Sequence, residues 1–189
     1  YRNDYIKRIA QENQKEVEIF EDTLLIGFSS RFHRGKNVEF LIGAISELVK
    51  IHPNIILLVK GDMSAHWDFG SEYSEKLKDA FSQISTVPWF LWDRSFTDFP
   101  EVFHIYKSFD LFVYPSGAEN GSNTLVETLS LGVPTIALEA STNPYLFNNM
   151  LLFAKAGEFL KGKVNFYQPD FADLLTKMRM LIGSPKLRK

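Results

Sequence analysis

Short apolar runs alternate along the chain with segments in which apolar residues recur at helical spacing. The apolar runs predict buried β-strands at residues 24–28, 55–59, 87–92, 109–114 and 135–138. Amphipathic helices are predicted around them, at about residues 4–18, 38–49, 71–82, 98–106, 124–131 and 170–182, with 153–160 as a further candidate helix. Strands that are apolar throughout and alternate with helices are typical of a parallel sheet that is covered on both faces.

Several helix and strand ends are marked by particular residues. Asn37 is the expected cap of the second helix, and Gly132 with Pro134 is expected to end the helix at 124–131. Pro88 cannot donate a ladder hydrogen bond, so its strand is expected to start late or to lie near an edge.

The predicted fold class is therefore α/β, with a doubly wound parallel sheet and helices on both faces. Right-handed crossovers place the carboxyl ends of all strands along one edge, which is where such sheets bind ligands. The loops expected at that edge are residues 29–37, 61–70, 92–98, 115–124 and 139–144. The unusual residues of the chain are concentrated in these loops.

Composition narrows the functional classes. The chain has 189 residues, 45% of them hydrophobic and 23% charged, which suits one soluble globular domain. A net charge of -2 with dispersed Lys and Arg gives no reason to expect nucleic-acid binding. The absence of cysteine fits a reducing compartment, and we expect a cytoplasmic protein. Because the chain lacks an initiator Met, we also expect it to be part of something longer.

The loop after the first strand carries three cations, Arg31, Arg34 and Lys36, just before a helix start. Arginine offers a planar fork for phosphate oxygens, and lysine offers a point charge. A solvated loop without a specific ligand is the alternative, since most surface charges have no specific partner. The position of this loop, at the ligand-binding edge and facing a second helix start, favours an anion site.

The second helix start follows the fourth strand and is flanked by Glu119 and Glu127. Gly121 permits close approach of a ligand to the backbone, and Ser122 or Asn123 is the expected N-cap. A helix start suits phosphate, while an ionised carboxylate accepts hydrogen bonds from sugar hydroxyls. Phosphate beside sugar hydroxyls describes a nucleotide-sugar, although two glutamates alone are weak evidence.

The whole segment, PSGAENGSNTLVETLSLGVPTIAL, resembles the donor-site signature of the retaining glycosyltransferases called group 1 or family 4. That signature is Pro-Ser, then two Glu separated by seven residues, then Gly-x-Pro and an apolar strand. A second mark of the family is an Arg and a Lys five positions apart after the first strand of the C-terminal domain, and Arg31 and Lys36 match it. The resemblance is good over residues 22–139 and implies a Rossmann-like domain, one half of a GT-B enzyme.

The resemblance also implies residue roles. Arg31 and Lys36 would hold the donor diphosphate and steady the departing nucleotide, and Glu119 would contact hydroxyls of the transferred sugar; these three form the expected catalytic set. The other expected donor contacts lie at the helix start, at the ribose and near the base: Gly121, Ser122, Asn123 and Thr124, then Glu127, then Asp93 and Arg94.

The chain departs from the family pattern at four places. Ser30 replaces a common glycine, Asn120-Gly121-Ser122 replaces Gly-Phe-Gly, and Thr128 replaces an alanine. The usual Gly-Gly segment after the last strand is replaced by residues 140–144. The shifted glycine changes the expected contacts with the sugar.

The function that the resemblance implies is donor binding in a retaining hexosyltransferase that serves a glycan or lipid-linked acceptor in surface polysaccharide synthesis. Residues 1–20 are expected to be a leading helix or linker and residues 21–189 the nucleotide-sugar-binding domain. The N-terminal acceptor domain is expected to be missing, and no cofactor or metal is expected. The inner membrane surface is left open as a location for the full-length protein. The alternative is a non-catalytic nucleotide- or sugar-binding module of the same fold.

Overall fold

A computed structural model of the protein describes residues 1–61, 71–161 and 165–188. Within these ranges one parallel sheet is formed by β1 (Leu24–Ser29), β2 (Ile55–Lys60), β3 (Phe90–Asp93), β4 (Leu111–Tyr114), β5 (Thr135–Leu138) and β6 (Leu152–Ala154). The order across the sheet is β3-β2-β1-β4-β5-β6. This is the order of a doubly wound, Rossmann-like sheet, so the predicted fold class is confirmed.

Helices cover both faces of the sheet. They are α1 (Arg2–Glu12), α2 (Val38–Leu48), α3 (Ser71–Gln83), α4 (Glu101–Lys107), α5 (Asn123–Ser130), α6 (Asn143–Leu146) and α7 (Phe171–Gly183). The strands of the parallel sheet are buried almost throughout. Phe28 on β1 and Phe112 on β4 are the largest of the fully buried side chains. The predicted apolar face of α2 is also buried. Of the expected ligand-side loop 61–70, only Gly61 belongs to the described residues.

The leading helix α1 packs onto the same sheet. Its buried residues are the ones that helical spacing predicts: Tyr5, Ile6, Ile9 and Ala10. Polar contacts reinforce this packing, because Arg2 pairs with Asp110 at 2.7 Å. This apolar face belongs to the core of the sheet, and the boundary near residue 20 stays a prediction.

Strand β3 behaves as Pro88 predicts. It begins only at Phe90, and it forms the edge of the sheet, where it pairs with β2 alone. The prolyl nitrogen is thereby kept out of the hydrogen-bonded ladder.

The prediction of a helix at 153–160 is wrong. Residues Leu152–Ala154 form β6, and Ala156–Leu160 form β7, which pairs antiparallel with β8 (Phe166–Pro169). The ring centroids of Phe159 and Tyr167 lie 4.7 Å apart across this pair. Pairing with other strands, of β6 with β5 and of β7 with β8, therefore overrides a weak local helix signal, as it commonly does for short segments.

Asn37 begins α2 as predicted, but its side chain does not cap the helix. The residue adopts a left-handed backbone conformation with φ 51°, and its Nδ2 donates to the carbonyls of Pro115 and Tyr167, both at 2.8 Å. The amide thus joins the loop after β1 to the loop after β4 and to β8. A cap would require the side chain to face its own helix, and the two carbonyls hold it elsewhere.

The backbone of Gly117, in the loop after β4, also joins that loop to the loop after β1 and to β8. Its amide donates to the Gly35 carbonyl at 2.8 Å, and its carbonyl accepts from the Tyr167 amide at 3.2 Å and from the Ser141 hydroxyl at 2.9 Å. A Cβ at this position would lie 1.8 Å from the Tyr167 carbonyl oxygen. Only glycine fits, because the obstructing atoms belong to backbone that other strands hold in place.

We predict that Gly117→Ala lowers the free energy of unfolding by about 3 kcal/mol, because the new methyl group must displace hydrogen-bonded backbone. Urea unfolding of the purified chain measures this. The matched control is Gly183→Ala, where no atom lies within 4 Å of the added Cβ. That variant should be neutral or more stable by about 0.4–1 kcal/mol. Equal stabilities of the two variants would contradict the close approach at Gly117.

Candidate functional site

A cleft of about 710 Å³ opens at the carboxyl edge of the sheet, between the loops that follow β1, β3 and β4. Strands β1 and β4 are parallel neighbours, and the strand order runs outward from them in opposite directions. Ligands usually bind at this switch point in such folds. The cleft wall contains Arg31, Lys36, Glu119, Arg94 and residues 121–124. The structure therefore brings together most of the residues expected at the site.

Lys36 and Glu119 form an ion pair at the cleft wall, with side chains only 10% and 9% exposed. The ammonium of Lys36 also donates to the Tyr114 hydroxyl at 2.8 Å. The hydroxyls of Tyr114 and Ser116 donate to the same carboxylate oxygen of Glu119, at 2.8 and 2.6 Å. Burial raises the pKa of Tyr114, so this phenol stays protonated and available as a donor. Glu119 is thus oriented by a cation and two hydroxyls.

The remaining charges make the cleft cationic. Four cationic side chains and one carboxylate line its described part: Arg31, Lys36, Lys60 and Arg94, with Glu119. Arg31 is an exposed side chain of the wall, and the guanidinium of Arg94 lies 5.0 Å from the centroid of the Trp92 ring. Clustered charge of one sign in a concave wall attracts and concentrates an anionic ligand.

Helix α5 starts at the cleft. Ser122 is its N-cap, and the Ser122 side chain accepts from the Leu125 amide at 3.3 Å. The first backbone N–H groups of a helix lack partners within it, and they carry partial positive charge. Gly121 has φ +108°, a conformation that favours glycine, so the shifted glycine of this chain permits the turn into the helix.

The structure changes the expected part of Asp93. This residue is fully buried and does not line the cleft. One carboxylate oxygen accepts from Lys60 at 2.7 Å and from the Tyr5 hydroxyl at 2.6 Å, and the other accepts from the Ser95 amide and hydroxyl. Burial alone raises its pKa, but the hydrogen bonds from Lys60, Ser95 and Tyr5 outweigh burial and hold the pKa below its ordinary value. Asp93 therefore positions the loop beside the cleft, and Arg94 is the residue of this pair whose side chain lines the cleft.

Glu127 lies on α5 beyond the cleft wall. Its side chain is half-buried, and burial raises its pKa. Its charge contributes to the raised pKa of Tyr106, after burial, so it sits near this tyrosine, which does line the cleft. The ribose contact expected of Glu127 stays a prediction.

Several lining residues were not singled out from the sequence, and His33 is the most informative of them. It lies between Arg31 and Lys36 in the chain and contributes to the cleft wall. Burial, followed by the charge of Lys36, lowers its pKa to about 4, while Glu119 opposes this effect and Arg31 adds to it. The available signal was an ionisable ring in a loop of cations at the ligand edge.

No group of three or more His, Cys, Asp or Glu in the described ranges is arranged to hold a metal ion. No helix within the described ranges is long and apolar enough to cross a membrane.

The family model described as "Glycosyl transferases group 1" matches residues 10–157, which is most of the chain. The chain belongs to this family. The matched range includes both the cationic loop after β1 and the glutamate loop after β4, and both of these loops line the cleft.

Three proteins illustrate what the chain is similar to. The alpha-monoglucosyldiacylglycerol synthase of Streptococcus pneumoniae (strain ATCC BAA-255 / R6) is 26% identical over 187 residues, which are 96% of this chain and 37% of that protein. Sucrose-phosphate synthase of Thermosynechococcus elongatus has a TM-score of 0.70 and 18% identity over 95% of this chain and 40% of that one. The C-terminal domain of a group 1 glycosyl transferase from Francisella tularensis has a TM-score of 0.64 and 18% identity, covering 96% of this chain and 84% of that domain.

These solved structures share the fold, which is that of the C-terminal half of a GT-B enzyme. The chain spans about a third of the length of the curated relatives that it matches.

We predict strong coupling between Lys36 and Glu119 in a double-mutant cycle. Lys36→Met and Glu119→Gln should each lower the free energy of unfolding, while the double variant should lose less than their sum, with a coupling of about 2 kcal/mol. The matched control is the exposed i,i+3 pair Lys50 and Glu47, for which the coupling should be at most about 0.5 kcal/mol. Equal coupling in the two cycles, measured by urea unfolding, would contradict a buried pair.

We predict that Asp93→Asn destabilises the fold by about 3 kcal/mol near neutral pH, because it leaves the buried ammonium of Lys60 without its counter-charge. The pKa of Asp93 is lowered, so its contribution is complete above the ordinary value of 3.8 and is lost as pH falls through the folded pKa. The stability gap between wild type and variant should therefore narrow only below about pH 4. The exposed Asp79→Asn is the control; an equal effect there would contradict the prediction.

Proposed function

We propose that this domain binds a nucleoside-diphosphate sugar and forms the donor half of a retaining glycosyltransferase. The observation that carries the proposal is the placing of a buried Lys36–Glu119 pair in one cleft with Arg31 and the start of α5. Cations and helix N–H groups suit a diphosphate, and a carboxylate suits sugar hydroxyls. A volume of about 710 Å³ lies within the usual range for small-molecule sites.

The ion pair also suggests how the site operates. The ammonium of Lys36 pairs with Glu119 at the cleft wall, so a diphosphate bound there would compete with Glu119 for it. When Lys36 turns toward the phosphate, Glu119 keeps its hydroxyl donors Tyr114 and Ser116 and gains capacity to accept from a sugar hydroxyl. Donor binding and release of the carboxylate are thereby coupled.

Transfer itself would depend on the same cations. When the glycosidic bond to the donor breaks, the departing nucleoside diphosphate gathers negative charge in the transition state. With the donor bound, Arg31, Lys36 and the α5 start would already face its phosphates, so they would stabilise that charge with little reorganisation. This provides the counter-charge that a divalent metal would otherwise supply, and we propose that transfer requires no metal and no further cofactor.

The name of one relative supports a proposal for the acceptor. The curated Streptococcus pneumoniae relative is named for a glycolipid product. We propose that a second, N-terminal domain completes the cleft and binds a glycan or lipid-linked acceptor, and that the enzyme transfers a hexose in surface polysaccharide synthesis. The whole enzyme would then be cytoplasmic, working at the inner membrane surface.

We predict that Arg31→Ala weakens binding of nucleoside diphosphates by about tenfold or more, since one charge-assisted hydrogen bond contributes about 1.5–3 kcal/mol. Calorimetry with UDP, GDP and ADP measures the affinities. Arg179→Ala, at an exposed arginine of α7 outside the cleft wall, is the matched control and should bind as wild type does. Unchanged affinity in Arg31→Ala, or the absence of binding to any of the three nucleotides, would overturn the proposed donor site.

The non-catalytic alternative is separated by an assay of the full-length protein with donor sugars and acceptors in EDTA. Turnover that depends on Glu119 supports transfer. Donor binding without turnover, under conditions in which the donor raises the melting temperature, supports a binding module instead. At a hundredfold its Kd, a ligand adds about 2.7 kcal/mol of stability, which is readily detected.

A further inference from the structure

His33 lies inside the proposed donor site without belonging to the family signature. Its backbone is extended, with φ -154°, and its carbonyl accepts from the Lys36 amide at 2.9 Å in the short 3-10 turn that follows. The imidazole lies close over Gly35, since a Cβ built there would approach the ring Cε1 to 3.2 Å. A glycine at 35 therefore leaves room for the ring against the wall of the cleft.

Among the described residues, the charged groups that act on the pKa of this ring come from two loops. Lys36 and Arg31 belong to its own loop, and Glu119 belongs to the loop after β4. Burial and the two cations keep the imidazole neutral, with the pKa lowered to about 4, and Glu119 is already held by Lys36. A diphosphate placed beside these cations would offset the very charges that disfavour protonation.

We propose that His33 is a further ligand of the donor diphosphate and takes up a proton when the diphosphate binds. This rests on the proposed function, since it requires an anionic donor in the cleft. The neutral ring adds no positive charge to the two cations, Arg31 and Lys36, that its loop contributes to the cleft wall. The protonated ring donates a charge-assisted hydrogen bond to a phosphate oxygen once the anion is present.

Proton linkage gives the proposal a measurable consequence. If binding raises the pKa of His33 toward its ordinary value, the affinity for the donor must rise as pH falls between about 6.5 and 4, by up to tenfold per pH unit. Nucleoside-diphosphate sugars are the right probes because both phosphates are esterified, and their diphosphate does not titrate in this window. Free nucleoside diphosphates do titrate there and would mask the effect.

The experiment is calorimetry of the chain with UDP-glucose, GDP-mannose and ADP-glucose in turn, at about pH 5.5 and in two buffers of different ionisation enthalpy. We expect uptake of about half a proton or more on binding. His33→Asn should abolish the uptake and weaken binding several-fold at this pH, while His104→Asn, at an exposed residue outside the cleft, should leave both unchanged.

A second measurement needs no variant. The ring resonances of His33, followed by NMR across the same pH range, should titrate at higher pH with the sugar bound than without it. Binding without proton uptake, or with the His33 titration unmoved, would overturn the role of His33 and leave the donor site intact. If none of the three sugars binds at any pH, both the donor site and this inference are overturned.

Discussion

One backbone hydrogen bond, from the amide of Gly117 to the carbonyl of Gly35, joins the two loops that build the cleft. The strand order makes this contact possible, because β1 and β4 are neighbours and end on the same edge. Asn37, at the end of the first loop, strengthens the junction by donating to the carbonyls of Pro115 and Tyr167. The distance between the cationic loop and the glutamate loop is thus set by backbone atoms, which leaves the side chains to carry the chemistry.

Two lysine–carboxylate pairs beside the cleft serve different purposes. In the Lys60–Asp93 pair only the lysine lines the cleft, whereas Asp93 is fully buried and also accepts hydrogen bonds from Tyr5 and Ser95. This carboxylate is closed to a ligand, and the pair holds a loop. Lys36 and Glu119 have the same chemistry but line the cleft, where a ligand can compete for either partner. Access, rather than the type of interaction, separates the structural pair from the pair that we place in the binding site.

Much of the fold and part of the site follow from the sequence. Strands β1, β2, β4 and β5 and helix α2 are continuous local patterns, so periodicity locates them. The Arg31–Lys36 spacing and the glutamate segment sit at strand ends, where topology alone brings them together. The pairing of β6 with β5, and of β7 with β8, depends on partners that local periodicity does not reveal.

The roles of residues that contact distant parts of the chain could not be predicted from the sequence. Asp93 has the sequence position of a ligand-side residue, but its hydrogen bond with Tyr5 spans 88 residues and turns it inward. Asn37 has the position of a cap, and a carbonyl 130 residues away takes its amide instead. His33 shows the converse, since folding buries a residue that belongs to no motif, and this burial, followed by the charge of Lys36, lowers its pKa.

The packing of α1 has a consequence for how the unit of folding is defined. The family match begins at residue 10, inside this helix, whereas the phenol that reaches Asp93 is at Tyr5. A boundary drawn from family similarity would therefore cut away a hydrogen-bond donor to the buried carboxylate that anchors Ser95. Helix α1 begins at Arg2, about two helical turns before the start of the family match. The first turn of α1, through Tyr5, supports the loop beside the cleft.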